Sequence, residues 1–172
     1  MSVIAVGFQH GHGFAARVIR GVCNGPFVHC EIVIDNRCFT TFMNEPWNRV
    51  GEYTHRPSDE AREGWKYLYF VVTGNQAARA LRCCVEAKNT SYDYSGAICS
   101  PFPLFRTILA AFVTHDAAIF CSELAAMALK AAGVGLRLTP QTTDPCALYA
   151  ACSALPNCST TNPINASAIL LL

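Results

Sequence analysis

The chain has 172 residues and is 52% hydrophobic, which is enough for one domain with a real core. Its 13 basic and 12 acidic residues nearly cancel, so nothing in the charge suggests a nucleic-acid partner or an anionic membrane surface. No apolar run reaches the roughly 18 residues of a membrane span. The opening MSVIAVGFQHGHG lacks the basic region and cleavage site of a signal peptide, so neither a span nor a leader is expected.

In chain order, SVIAVGF reads as an apolar strand and QHGHG as a glycine-rich turn. FAARVIRGVC reads as a short helix with Phe14, Val18 and Ile19 on one face, broken at Asn24-Gly25-Pro26. FVHCEIVI is a strand, DNR a turn, and CFTTFM the hairpin partner. Residues 44–64 are polar and read as a long loop, and WKYLYFVV is a further strand. NQAARALRCCVEAKN reads as an amphipathic helix with Ala77, Leu81, Cys84 and Val85 on one side. TSYDYSGAICSPFPLF is irregular and LFRTILAAFV helical. IFCSELAAMALKAAG is a helix in which Leu124, Met127, Ala128 and Ala131 share a face and Gly133 is the stop. Composition places one domain at residues 1–152 and a Ser/Thr/Asn-rich tail at 153–172.

The ten cysteines do not read as a disulfide framework. Cys30 and Cys38 fall in strands, Cys83 and Cys84 are adjacent in a helix, and no zinc-type CxxC pair occurs. Free, mostly buried thiols in a reducing compartment are expected, cytoplasmic or otherwise intracellular. The glycosylation triplets at Asn89 and Asn165 carry little weight without a leader.

Cys121 stands out because it falls in the first turn of its helix, where free N–H groups and the helix dipole favour a thiolate. The alternative is a structural buried cysteine. A nucleophile needs a base. Of five histidines, His55 lies in the polar loop, His115 precedes the Cys121 helix, and His10 and His12 share the glycine-rich turn. Only His29 lies within an expected strand, where alternation puts it on one face with Glu31 and Val33, opposite Val28, Cys30 and Ile32. Two ionisable groups on that face mark either a site or a sheet edge in water.

Several stretches in order resemble the circularly permuted papain-like amidases of the YaeF/YiiX type, within the NlpC-like superfamily, which has relatives in bacteria and in large DNA viruses such as poxviruses. These are GFQHGHGFAARVIR, FVHCEIVI, NTSYDYSGAI, IFCSELAAMALKAAGVGL and TTDPCALY, together spanning roughly residues 3–150. Lys88-Asn89 stands where that family usually has a glycine. The resemblance implies an α+β, permuted papain-like fold: an antiparallel sheet packed against helices that include the nucleophile helix. It also implies a thiol hydrolase of amide or peptide bonds, with Cys121 as nucleophile and His29 as general base.

The Cys121 N–H and the Gln9 side chain are the expected oxyanion donors, although Gln9 also reads as a turn residue capping the next helix. Tyr92 would line the cleft, and Asp93 would either do so or cap a helix. Glu123 is expected to support the helix dipole. The third catalytic member is open. Aligning the hairpin puts Thr41 there; a loop at Asn36-Arg37 would pair His29 with Asn44, and one centred on Asn36 would pair Thr41 with Glu31, itself a candidate. The expected partner is a peptide, amide or acyl substrate, with peripheral membrane contact compatible and neither metal nor cofactor required. Two rival readings are a lipid or thioester acyl hydrolase or acyltransferase, with ICSPFPLFRTILAAFV holding the acyl chain, and a non-catalytic binding protein.

Overall fold

The computed structural model describes residues 1–11, 16–17, 20–21, 25–42, 49–55, 63–91 and 119–163. Six strands form one antiparallel sheet: β1 (Ser2–His10), β2 (Phe27–Ile34), β3 (Arg37–Phe42), β4 (Arg49–Thr54), β5 (Trp65–Val72) and β6 (Cys158–Ser159). Their order is β4-β3-β2-β1-β5-β6. Among the described residues after β5, three helices are seen: α1 (Gly74–Ala87), α2 (Cys121–Ala131) and α3 (Pro145–Ser153), with a 3-10 turn at Pro140–Thr142.

Period-two alternation gives the sheet an apolar face that buries Ile4, Val6, Phe8, Ile32, Ile34, Phe39, Leu68 and Phe70. Against it lie Ala77, Ala80 and Cys84 of α1 and Leu124, Ala125, Ala128 and Leu129 of α2. The small alanines let the helices approach the sheet closely, so this helix–sheet contact is the core. The opposite face carries Ala5, Val33, Cys38, Tyr67 and Tyr69, all buried.

The helix ends follow the local sequence. Thr73 and Gln76 form a capping box on α1, and Asp144 accepts from Cys146 N (2.8 Å) and Ala147 N (3.0 Å) at the start of α3. Gly133, at φ +75°, ends α2 with Gly133 N–H on Lys130 O (2.9 Å) and Val134 N–H on Leu129 O (3.0 Å).

Three expectations need correction. The segment 44–64 contains β4, an edge strand whose Arg, Glu and Gly residues hide its pattern; only Val50 is fully buried. The buried stripe of α1 is Ala77, Ala80, Cys84 and Ala87, and Val85, one position off that stripe, is 43% exposed. Cys158 and Ser159, assigned to the tail by composition, pair with Phe70 and Tyr69 of β5. The described residues of the first expected helix, Ala16, Arg17, Arg20 and Gly21, are helical; LFRTILAAFV lies outside the described residues.

The β2–β3 hairpin also differs from both expected loops. Its two-residue loop is Asp35-Asn36, at φ 49° and 62°, and Ile34 pairs with Arg37, Val33 with Cys38 and Ile32 with Phe39. Two consecutive left-handed residues are the signature of a type I′ turn, which Asp and Asn tolerate and β-branched residues do not. Asn36→Val should therefore destabilise the fold by about 1–2 kcal/mol, read as a lower urea midpoint, whereas Asn36→Gly should leave the midpoint unchanged or raise it.

Candidate functional site

Cys121 is the first residue of α2 and 5% exposed. The preceding residue, Phe120, has no side-chain oxygen to cap the helix, so no cap competes for the first-turn N–H groups. Glu123 sits in that first turn as expected and is buried.

His29 lies on β2 beside an irregularity. Gln9 pairs with His29 and His10 with Phe27, so Val28 is an extra residue in β2, a bulge of the kind that re-aims a neighbouring side chain. The β2–β3 ladder ends at Ile32–Phe39, while β3 stays paired with β4 as far as Phe42. Beyond that point the β3-side backbone groups of β2 are met by side chains. The Cys30 carbonyl accepts from Thr40 Oγ1 at 3.4 Å, and the Cys30 N–H donates to the Cys121 sulfur. The structure thus brings Cys121 to the place where the two strands part, in hydrogen-bond contact with His29.

These surroundings hold the Cys121 thiol well below its ordinary pKa. The Cys30 thiol hydrogen bond contributes most, burial opposes it, and the His29 charge and hydrogen bond and the Cys30 N–H add to it. Cys30 moves the other way: burial, and then its bond to Cys121, push its pKa up. Within this pair the surroundings favour the thiolate at Cys121 and the protonated thiol at Cys30. Burial raises Cys83, Cys84, Cys146 and Cys158 as well, and Cys152 to about 12.

The strand register puts Thr40, rather than the expected Thr41, beside the His29 ring. His29 Nε2 lies 2.7 Å from Thr40 Oγ1. Thr41 is buried, next along β3 and so on the other face of the strand, and its Oγ1 has no hydrogen-bond partner among the described residues. Asn44 lies outside the described residues, as do Tyr92, Asp93 and all of ICSPFPLFRTILAAFV. Glu31 is turned to other partners: its Oε2 accepts from Tyr53 OH and its Oε1 from Tyr67 OH, both at 2.5 Å. Gln9 is half-buried and beside His29 in register, and Trp65, its partner on β5, sets its ring edge-on to His29 at 6.2 Å.

Sequence reasoning missed Thr40 and Cys30. Cys30 was within reach, because alternation put it on the helix-facing side, where Cys121 lies. His55 was also misread: it follows β4 and is 5% exposed, and its Nδ1 lies 4.0 Å from Glu31 Oε1. Among the described residues, Glu31, Cys38 and His55 could hold a metal, their ligand atoms lying within 4.8 Å of one another.

At low pH, iodoacetamide should modify Cys121 ahead of the other thiols. Lowering the pH from about 8 to 6.5 should slow ordinary cysteines roughly tenfold per unit and Cys121 far less. Peptide mapping that finds another cysteine labelled first would contradict the assignment of the thiolate.

No family model matches the chain, and no curated protein does. Among solved structures it is similar to the crystal structure of the metalloprotein YiiX from Escherichia coli O157:H7, at 15% identity and a TM-score of 0.54. The match covers 92% of this chain and 94% of that one, so the two share an α+β fold over nearly their whole lengths.

Proposed function

We propose that the protein is a thiol hydrolase of the permuted papain-like type, cleaving an amide or peptide bond through an acyl-enzyme on Cys121. The observation that carries this reading is the Cys121 thiol at an uncapped helix N-terminus, in hydrogen-bond contact with a histidine whose far nitrogen is already held. Thr40 Oγ1 directs its proton to the Cys30 carbonyl and so accepts from His29 Nε2–H. That fixes the tautomer and leaves Nδ1 for proton exchange with the sulfur and the substrate.

In this mechanism the Cys121 thiolate attacks the acyl carbon. The oxyanion that forms is held by the Cys121 N–H and by the Gln9 side chain, which the β1–β2 register sets beside His29. His29, protonated, passes its proton to the departing nitrogen as the C–N bond breaks. A water then gives a proton to His29 and attacks the thioester, which releases the acid and returns Cys121 as a thiolate. YiiX is described as a metalloprotein; no step here runs through a metal.

Assays against peptide, isopeptide and acyl-ester panels test the proposal. On any substrate turned over, Cys121→Ala should abolish activity, and His29→Ala should lower kcat by about 10²–10⁴-fold. Thr40→Val removes one hydrogen bond donated by the protonated imidazole, worth about 1.5–3 kcal/mol, and should cost about ten- to a hundredfold. Thr41→Val should leave kcat unchanged. If Thr41→Val cut turnover and Thr40→Val did not, the orienter would be misassigned; full activity in Cys121→Ala would end the proposal.

A further inference from the structure

The sheet face away from α1 and α2 holds a second polar cluster that the hydrolytic mechanism does not use. Glu31 comes from β2, Cys38 from β3 and His55 from the residue after β4, and they are 2%, 0% and 5% exposed. A carboxylate, a thiol and an imidazole seldom share a buried apolar face without a reason. Around them lie Val33, Tyr67 and Tyr69, also buried.

The cluster is built by long-range features. Gly7 sits between Glu31 and Tyr67 in the sheet, and a Cβ there would meet Tyr67 Cε1 at 2.6 Å and Glu31 Cγ at 3.0 Å. Its missing side chain is what lets the Tyr67 ring lie across β1 and reach Glu31. Tyr53 bonds Glu31 from the other side and also contacts the Cys38 thiol. His55 is fixed by its backbone N–H on Asn36 O at 2.8 Å, which ties it to the hairpin turn that sets the position of Cys38.

We propose that Glu31, Cys38 and His55 supply three of the four ligands of a zinc site, a water molecule being the fourth. Sulfur, nitrogen and carboxylate oxygen are the three donor types zinc accepts, and the set suits zinc better than calcium or magnesium, which prefer all-oxygen ligands. The ligand atoms lie within 4.8 Å of one another. The edges of a tetrahedral zinc site are roughly 3.3–3.8 Å for bonds of about 2.0–2.3 Å, so binding draws the three side chains together. Ionised Cys38 and Glu31 supply two negative charges, which one divalent cation neutralises in a region where unpaired charge is costly. Binding releases the Cys38 proton to solvent and ties β2, β3 and the end of β4 to one another.

Elemental analysis of the full chain, expressed without a metal-binding tag, tests this. About one zinc per chain is expected, retained in Cys121→Ala and lost in Cys38→Ser and His55→Gln. Should those two variants not fold, the wild-type chain decides. Stripped with a chelator, it should unfold at a lower temperature than the zinc-loaded chain, and on titration with cobalt(II) it should develop a thiolate-to-cobalt charge-transfer band. A chain that takes up neither zinc nor cobalt overturns the proposal. So does metal that stays bound in Cys38→Ser and His55→Gln but is lost in Cys121→Ala. The hydrolase reading fails separately, through Cys121→Ala kinetics on the metal-loaded protein.

Discussion

The β2–β3 ladder stops one pair short of Glu31, and the candidate site depends on that break. Buried backbone N–H and C=O groups need partners. At Cys30 the N–H finds the Cys121 sulfur and the carbonyl finds Thr40 Oγ1. One strand residue, paired with β1 but not with β3, thus joins helix α2 to strand β3. A further N–H donated to the Cys121 sulfur favours the thiolate, and a Thr40 proton committed to a carbonyl favours one tautomer of His29. Loop, ladder and helix position the same three side chains.

The two faces of the sheet have separate work. The helix-facing side is a continuous apolar layer, and α2 contributes to it along nearly its whole length, which holds Cys121 in place. The other side collects His29, Thr40, Glu31, Tyr53, Tyr67 and Cys38. His29 can serve a thiol from the helix side because the bulge at Val28 interrupts the regular alternation where β2 runs past β1.

The placement of Cys121 at a helix start and of His29 on a strand was legible because each rests on a local pattern: a 3.6-residue repeat starting at a cysteine, and a histidine inside an apolar strand. The α2 stop at Gly133 was legible for the same reason. Thr40 was not, since its identity turns on a one-residue shift of the hairpin loop, decided by whether Asn36 is followed or preceded by its partner in the turn. Here Asp35 precedes it and takes the first left-handed position. β4 was hidden because an edge strand with one fully buried side chain has almost no pattern to read. The Gly7–Tyr67–Glu31 contact joins residues far apart in the chain, so no window of sequence contains it.

The central claim is that Cys121 carries an acyl group during turnover. Mixing the full chain with an activated ester such as a p-nitrophenyl ester, quenching in acid and mapping the peptides by mass spectrometry tests it directly. The account predicts an acyl adduct on Cys121 that forms more slowly in His29→Ala and is absent in Cys121→Ala. Acylation elsewhere, with Cys121 unmodified in a folded protein, would contradict it.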